Sequence, residues 1–239
     1  MSTLLLVRHG QARLFTDDYD RLSDLGVSQS RALAEFWLER GIRPDSVYCG
    51  TLLRQRQTAD AVGKVFRRAG AEWPNRQERT GLNEYPAKEI TESLLPVLRK
   101  TDSSFGRLAA DLDSSRTYDD KYRHLHRLLE AVIARWVSDD YGDADVPLSW
   151  QAFSKGVRAT LRDVMSNAGS GKTVAVFTSG GPVAISVQTA LQAPDIKAAD
   201  LNWRVHNCSV TRYTFSGERV SLDAFNDVSH LPADMHTYR

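Results

Sequence analysis

Arg8-His9-Gly10 closes a short apolar run, Leu4 to Val7, and sets a cationic fork, an imidazole and a permissive backbone position side by side. A neutral imidazole nitrogen attacks phosphorus well, and the phosphohistidine it forms is labile enough to hydrolyse or to pass its phosphoryl group on. Arg8 offers planar donors that match phosphoryl oxygens, and its charge favours a neutral His9. Gly10 allows a sharp turn and the close approach of a ligand. A second arginine, Arg54, falls in the first turn of a predicted helix, where both the guanidinium and the helix terminus favour anions. Together these residues suit phosphoryl transfer. Alone, the tripeptide is equally a strand that ends in polar residues.

Such groups need a rigid frame. The segment Thr3 to Val7 is apolar on both faces, as a buried central strand must be, and ligands of parallel α/β sheets bind beyond the C-terminal strand ends. Ser23 is an N-cap for a helix carrying Leu25, Leu33, Phe36 and Trp37 at helical spacing, which Gly41 and Pro44 stop. Ser46 to Cys49 reads as a second strand, and Thr51 as the cap of a helix reaching about Ala69. From about Tyr85 to Trp150 the strand–helix alternation is interrupted by charged, helical sequence with Leu125, Leu128, Leu129, Val132, Ile133 and Trp136 in register. A helix from about Trp150 to Ser166, a strand Val174 to Phe177, a helix to Gln192 and a hairpin of Ser209–Phe215 and Arg219–Phe225 complete the pattern. The last dozen residues read as a loose tail. Gly169-Ser170-Gly171-Lys172-Thr173 imitates the end of a P-loop, but a helix precedes it and a strand follows, so it reads as a turn. Ser179 lacks the upstream glycine of a serine-hydrolase elbow, since Phe177 stands there.

Four segments in order carry a resemblance to a known family. They are Leu6-Val7-Arg8-His9-Gly10, Leu22-Ser23-Asp24-Leu25-Gly26-Val27-Ser28-Gln29-Ser30, Tyr48-Cys49-Gly50-Thr51-Leu52-Leu53-Arg54-Gln55-Arg56-Gln57-Thr58-Ala59 and Leu82-Asn83-Glu84. The chain resembles the histidine phosphatase superfamily, which includes phosphoglycerate mutases and many phosphomonoesterases. In that family the second segment runs Leu-Thr-x-x-Gly-x-x-Gln-Ala and the third Ser-x-x-x-Arg-Ala-x-Gln-Thr-Ala. The resemblance implies an α/β fold: three layers, α/β/α, around a mostly parallel sheet as in phosphoglycerate mutases. It makes residues 1–239 one domain with a helical cap inserted at about 85–150. It implies His9 as the nucleophile, Glu84 as the acid that protonates the leaving oxygen and then activates water, and Arg8 and Arg54 as clamps on the phosphoryl oxygens. Gln11, Ser179 and Gly180 join the implied phosphate-binding set, with the amide of Gly181 beside them.

One departure stands out. The family carries Ser-His-Gly-Gly after its fourth strand, whereas this chain has Thr178-Ser179-Gly180-Gly181, so Ser179 stands where a second histidine is expected. A hydroxyl donates one hydrogen bond and carries no positive charge. Full loss of a transition-state donor costs about 3–4 kcal/mol, and a retained hydroxyl reduces that cost. Gln11 replaces a glutamate of the mutases, and Phe15 an asparagine that contacts their substrate. The reading is a phosphomonoesterase for a small phosphorylated metabolite that works through a phosphohistidine on His9. A weakened homologue that binds phosphorylated ligands or partners is the alternative, and mutase-type transfer the third. Phe15 and Tyr85 are compatible with an organic leaving group and equally with core packing.

Composition bounds the rest. The chain has 239 residues, 41% hydrophobic and 26% charged, with a formal net charge of +1. That balance implies no global attraction to nucleic acid or membrane. A strand from residue three leaves no room for a signal peptide, and Cys49 and Cys208 read as buried thiols, so a cytoplasmic, disulfide-free protein is expected. His124 and His126 read as surface or packing residues on the cap, His206 as structural beside a core strand, and His230 and His236 as tail residues without a metal-ligand pattern. The mechanism calls for no metal and no cofactor. The oligomeric state stays open, a homodimer included.

Overall fold

The computed structural model describes residues 1–13 and 20–238; Phe15 lies outside them. In chain order the elements are β1 (Ser2–Arg8), α1 (Asp24–Glu39), β2 (Ser46–Cys49), α2 (Leu53–Arg68), β3 (Arg76–Glu78), α3 (Ala87–Thr101), α4 (Ser103–Asp113) and α5 (Tyr118–Val137). There follow α6 (Trp150–Ser166), β4 (Thr173–Thr178), α7 (Gly180–Ala190), α8 (Ile196–Asn202), β5 (Val210–Ser216) and β6 (Arg219–Asp227). The strands form one sheet in the order β3-β2-β4-β1-β5-β6. The four strands from β3 to β1 are mutually parallel, and the late hairpin adds two antiparallel strands beside β1.

Alternation within the strands divides the core into two layers. Leu5, Val7, Val47, Cys49, Ala175 and Phe177 face α1 and α2, meeting Leu33, Trp37, Val62 and Phe66. Leu4, Leu6, Val174 and Val176 face the opposite layer, which α3 to α8 build. The outcome is the three-layer α/β/α architecture expected. The helices after Glu84 are part of the second layer: Tyr85 packs on Trp136 with ring centroids 5.0 Å apart, and Trp136 on Trp150 at 5.4 Å. No helix among the described residues is long and apolar enough to cross a membrane. Cys49 and Cys208 are buried thiols, each pushed up to about 12 by burial.

Two local expectations need correction. Thr51 does not cap α2. Its hydroxyl accepts from Asn83 Nδ2 and its amide donates to Asn83 Oδ1, while the N-cap position falls to Leu52. The Leu52 amide donates to Gln55 Oε1, and the next amide, Leu53 N, donates to Asp20 Oδ2 at 2.6 Å. A carboxylate from a distant loop therefore caps this helix. Nor is the C-terminal tail loose. Gln29 Nε2 donates to the Met235 carbonyl and to Thr237 Oγ1, the Asn207 amide donates to the Thr237 carbonyl, and Tyr238 stacks on His206 at 4.1 Å. A polar tail has no hydrophobic periodicity to announce such docking.

Candidate active site

The C-terminal ends of β1, β2 and β4 converge, and the chemistry of the chain sits just beyond them. Arg8 pairs with Thr178 across the parallel β1–β4 ladder, so His9 and Ser179 leave the sheet side by side. The His9 amide donates to the Thr178 carbonyl at 2.8 Å, and its carbonyl accepts from the Cys208 amide at 3.1 Å and from Asn207 Nδ2 at 3.3 Å. Asn207 is in turn held by the docked tail. The Gly10 amide donates to Thr58 Oγ1 of α2, and a Cβ at Gly10 would run into the Gly26 carbonyl at the start of α1. Close packing between the His9–Gly10 turn and two helices is what requires glycine here.

The imidazole is held at both nitrogens. His9 Nδ1 lies 2.7 Å from the Gly10 carbonyl, which can only accept, so Nδ1 carries the proton. His9 Nε2 accepts from Arg54 Nε at 3.2 Å, so its lone pair points at the guanidinium. Arg54, in the first turn of α2 as its sequence position implies, also binds Asp20 Oδ1 through Nη1 at 2.6 Å. Arg8 is buried and donates through Nη1 to the Val205 carbonyl. The His206 imidazole is kept below its usual range by burial first and by nearby positive charge, Arg8 included. Hydrogen bonds to Asn226 and the stack on Tyr238 make His206 the structural histidine expected.

Glu84 closes the other side. Both of its oxygens accept from the Gly181 amide, at 3.1 and 3.2 Å, so the carboxylate caps α7. That amide was expected to face a phosphate and is committed to the acid instead. Burial nevertheless dominates: desolvation holds the Glu84 carboxyl above its ordinary range, against the pull of Gly181, Arg54 and Arg8. Part of the residue stays accessible although protein surrounds the carboxyl group. Gly180 packs against Asn202, whose Nδ2 donates to the Tyr85 hydroxyl. Gln11 Oε1 accepts from Ser23 Oγ, and the Gln11 amide donates to Gln29. Ser179 is completely buried; its hydroxyl oxygen accepts from Gln55 Nε2 at 2.8 Å, and its side chain makes no cap bond to α7.

The sequence of the chain matches a described family. The model of the histidine phosphatase superfamily (branch 1) matches residues 4–93 and 111–228. The chain belongs to the histidine phosphatase superfamily. A 2,3-bisphosphoglycerate-dependent phosphoglycerate mutase from Leifsonia xyli subsp. xyli is 27% identical over 221 residues, covering 83% of this chain and 81% of the relative. Among solved structures, a phosphoserine phosphatase from Entamoeba histolytica in complex with 3-phosphoglyceric acid superposes with a TM-score of 0.62 at 17% identity, over 97% of this chain and 100% of the other. A phosphoglycerate mutase from Bacillus anthracis str. Sterne superposes at 0.61 and 17% identity, over 96% and 94%. These two likenesses establish a shared fold. Histidine phosphatases thus supply the frame, and the residues specific to this chain supply the rest. Sequence reading missed three that matter to the geometry: Asp20 on Arg54, Gln55 on Ser179 and Asn207 on the His9 carbonyl. Only Gln55 had a visible signal, as a large polar residue at a motif position where the family has alanine.

Proposed function

We propose that this protein is a phosphomonoesterase that hydrolyses a small phosphorylated metabolite through a phosphohistidine on His9. The observation that carries the reading is the state of His9: a neutral imidazole with its proton fixed on Nδ1 and the Nε2 lone pair turned to an arginine. A substrate phosphoryl group that takes the Arg54 guanidinium meets that lone pair. Nε2 attacks phosphorus in line, the bond to the leaving oxygen breaks, and Glu84 delivers its proton to that oxygen. Arg8 and Arg54 neutralise the equatorial oxygens, where transition-state charge spreads. On this reading Ser179 is the neutral donor at the second-histidine position, with Gly180 and Gln11 in the phosphate-binding set. In the second half the Glu84 carboxylate takes a proton from water, and the hydroxide so formed attacks phosphorus. The P–N bond then breaks, which returns neutral His9, protonated Glu84 and inorganic phosphate. Burial suits Glu84 to this exchange, since it favours the protonated form that the first step needs. The helices that follow Glu84 border the leaving group and select it on this reading. Hydrolysis of para-nitrophenyl phosphate in the presence of a chelator tests the proposal. Turnover by the wild type and its loss in His9→Ala support it; equal rates in both proteins refute it.

A further inference from the structure

Gln55 has no part in the chemistry described above, yet its side chain ties together three segments under the site. It is completely buried. Its Nε2 donates to Ser179 Oγ at 2.8 Å and to the Leu82 carbonyl at 2.9 Å, and its Oε1 accepts from the Leu52 amide at 3.3 Å. Each partner belongs to a different segment that bears a site residue. Ser179 leaves β4 beside His9, Leu82 lies two residues before Glu84, and Leu52 starts the helix whose first turn holds Arg54. Thr178 Oγ1 donates to the same Leu82 carbonyl at 2.6 Å, so the Glu84 loop is fastened both to the end of β4 and to α2.

The space for this amide comes from two small residues. A Cβ added at Gly50 would overlap Gln55 Oε1 and come within 2.6 Å of Asn83 Oδ1, so the amide fits only against a glycine. On the other side it reaches a serine. Set against the family motifs, position 50 exchanges serine for glycine, position 55 alanine for glutamine, and position 179 histidine for serine. Three exchanges separated by up to 129 residues in the chain (179 − 50) meet around one side chain.

We propose that Gln55 is a positioning residue for phosphoryl transfer. Its single buried amide locks Ser179, the Glu84 loop and the first turn of the Arg54 helix together, and residues 50, 55 and 179 form one interdependent unit. The Ser179 hydroxyl, whose oxygen already accepts from Gln55, is thereby oriented with its proton available to an acceptor other than Gln55. The proposal rests on the hydrolytic reading for its catalytic consequence, while the unit itself is measurable without substrate.

Two experiments test it. Gln55→Met keeps the volume and removes the donors. It is expected to lower kcat by roughly tenfold with little change in KM, the signature of a lost positioning contact. The alkaline limb of its pH–rate profile should move to lower pH as Glu84 loses its closed seat. Wild-type kcat with an unmoved alkaline limb overturns the positioning role. The second experiment is a thermal-stability cycle on Ser179→His, Gln55→Ala and the double variant. An imidazole at 179 must enter space the amide occupies, so Ser179→His alone should lower Tm or fail to fold. Adding Gln55→Ala should recover much of that loss, a strong departure from additivity. Additive changes, or a double variant that fails although Gln55→Ala folds, overturn the unit. Absence of turnover on every ester in the wild type would count against the hydrolytic reading, and the cycle would still decide whether residues 55 and 179 are coupled.

Discussion

Glu84 shows how a single residue divides its environment between stability and chemistry. Burial raises its carboxyl above the ordinary range, so the folded state binds its proton more readily than the unfolded chain does. The cost of that burial is absent below the unfolded carboxyl pKa and grows as pH rises towards the raised folded value. Glu84→Gln should therefore raise Tm by about a few degrees at neutral pH, a gain that shrinks in acid. In the same variant, kcat/KM for an alkyl phosphate should fall by about 10²–10⁴, the usual worth of a positioned acid. For para-nitrophenyl phosphate the fall should be much smaller, because para-nitrophenolate leaves without a proton. Equal losses on both esters, measured by phosphate release, would remove Glu84 from the leaving-group step. The meeting of His9, Arg8 and Glu84 at one end of the sheet is legible because each stands in a short motif of the family that the chain resembles. Asp20 was not, because one carboxylate among many in a polar loop carries no spacing that distinguishes it.

At the scale of elements, the N-terminus of α2 is where the fold and the site share parts. Asp20 caps the Leu53 amide with one oxygen and holds Arg54 with the other, each at 2.6 Å. Asp20→Asn keeps the shape and removes the charge. It should cost only about 0.3–1 kcal/mol of stability, because an amide oxygen still accepts from the Leu53 amide and only the charge at the helix terminus is lost. It should also tighten inhibition by inorganic phosphate several-fold, since a competing anion leaves Arg54. Weaker phosphate inhibition would contradict this arrangement. The strands and most helices were legible from apolar runs and capping residues; β2 and α6 begin and end where Ser46–Cys49 and Trp150–Ser166 place them. Thr51 misled because capping depends on where its neighbours' amides point, and here Asn83 takes its hydroxyl and amide. The tail was misread for a similar reason: Thr237 and Tyr238 dock through polar and stacking contacts that periodicity does not register.

Across the whole molecule, two apolar layers on one sheet explain why a site made of distant segments is rigid. Residues from position 4 to position 215 share one of those layers, with the helices after Glu84 built into it. Strand–helix alternation made an α/β class readable, and the three layers came with the family resemblance. The integration of residues 85–150 was not, because an amphipathic helix shows that it has an apolar face and not what covers that face. The docked C-terminal region also sets an acid limit. Burial pushes the His230 imidazole down to about 4 from its usual 6.5, so folding favours the neutral ring. The unfolded chain takes up that proton first, so the stability is complete above pH 6.5 and is lost as pH falls towards about 4. Thermal melts of wild type and His230→Asn at neutral and acidic pH should show a smaller acid-induced drop in the variant; parallel drops would assign the acid limit to other groups.

The most direct measurement of the central claim is a rapid quench of the protein during turnover of a phosphate ester, followed by peptide mapping under alkaline conditions that preserve phosphohistidine. The expected result is a phosphoryl group on the peptide that contains His9, absent from His9→Ala and accumulating in Glu84→Gln with para-nitrophenyl phosphate, where water activation is lost. A wild-type protein that turns over the ester with no phosphoryl group on His9 would contradict the mechanism.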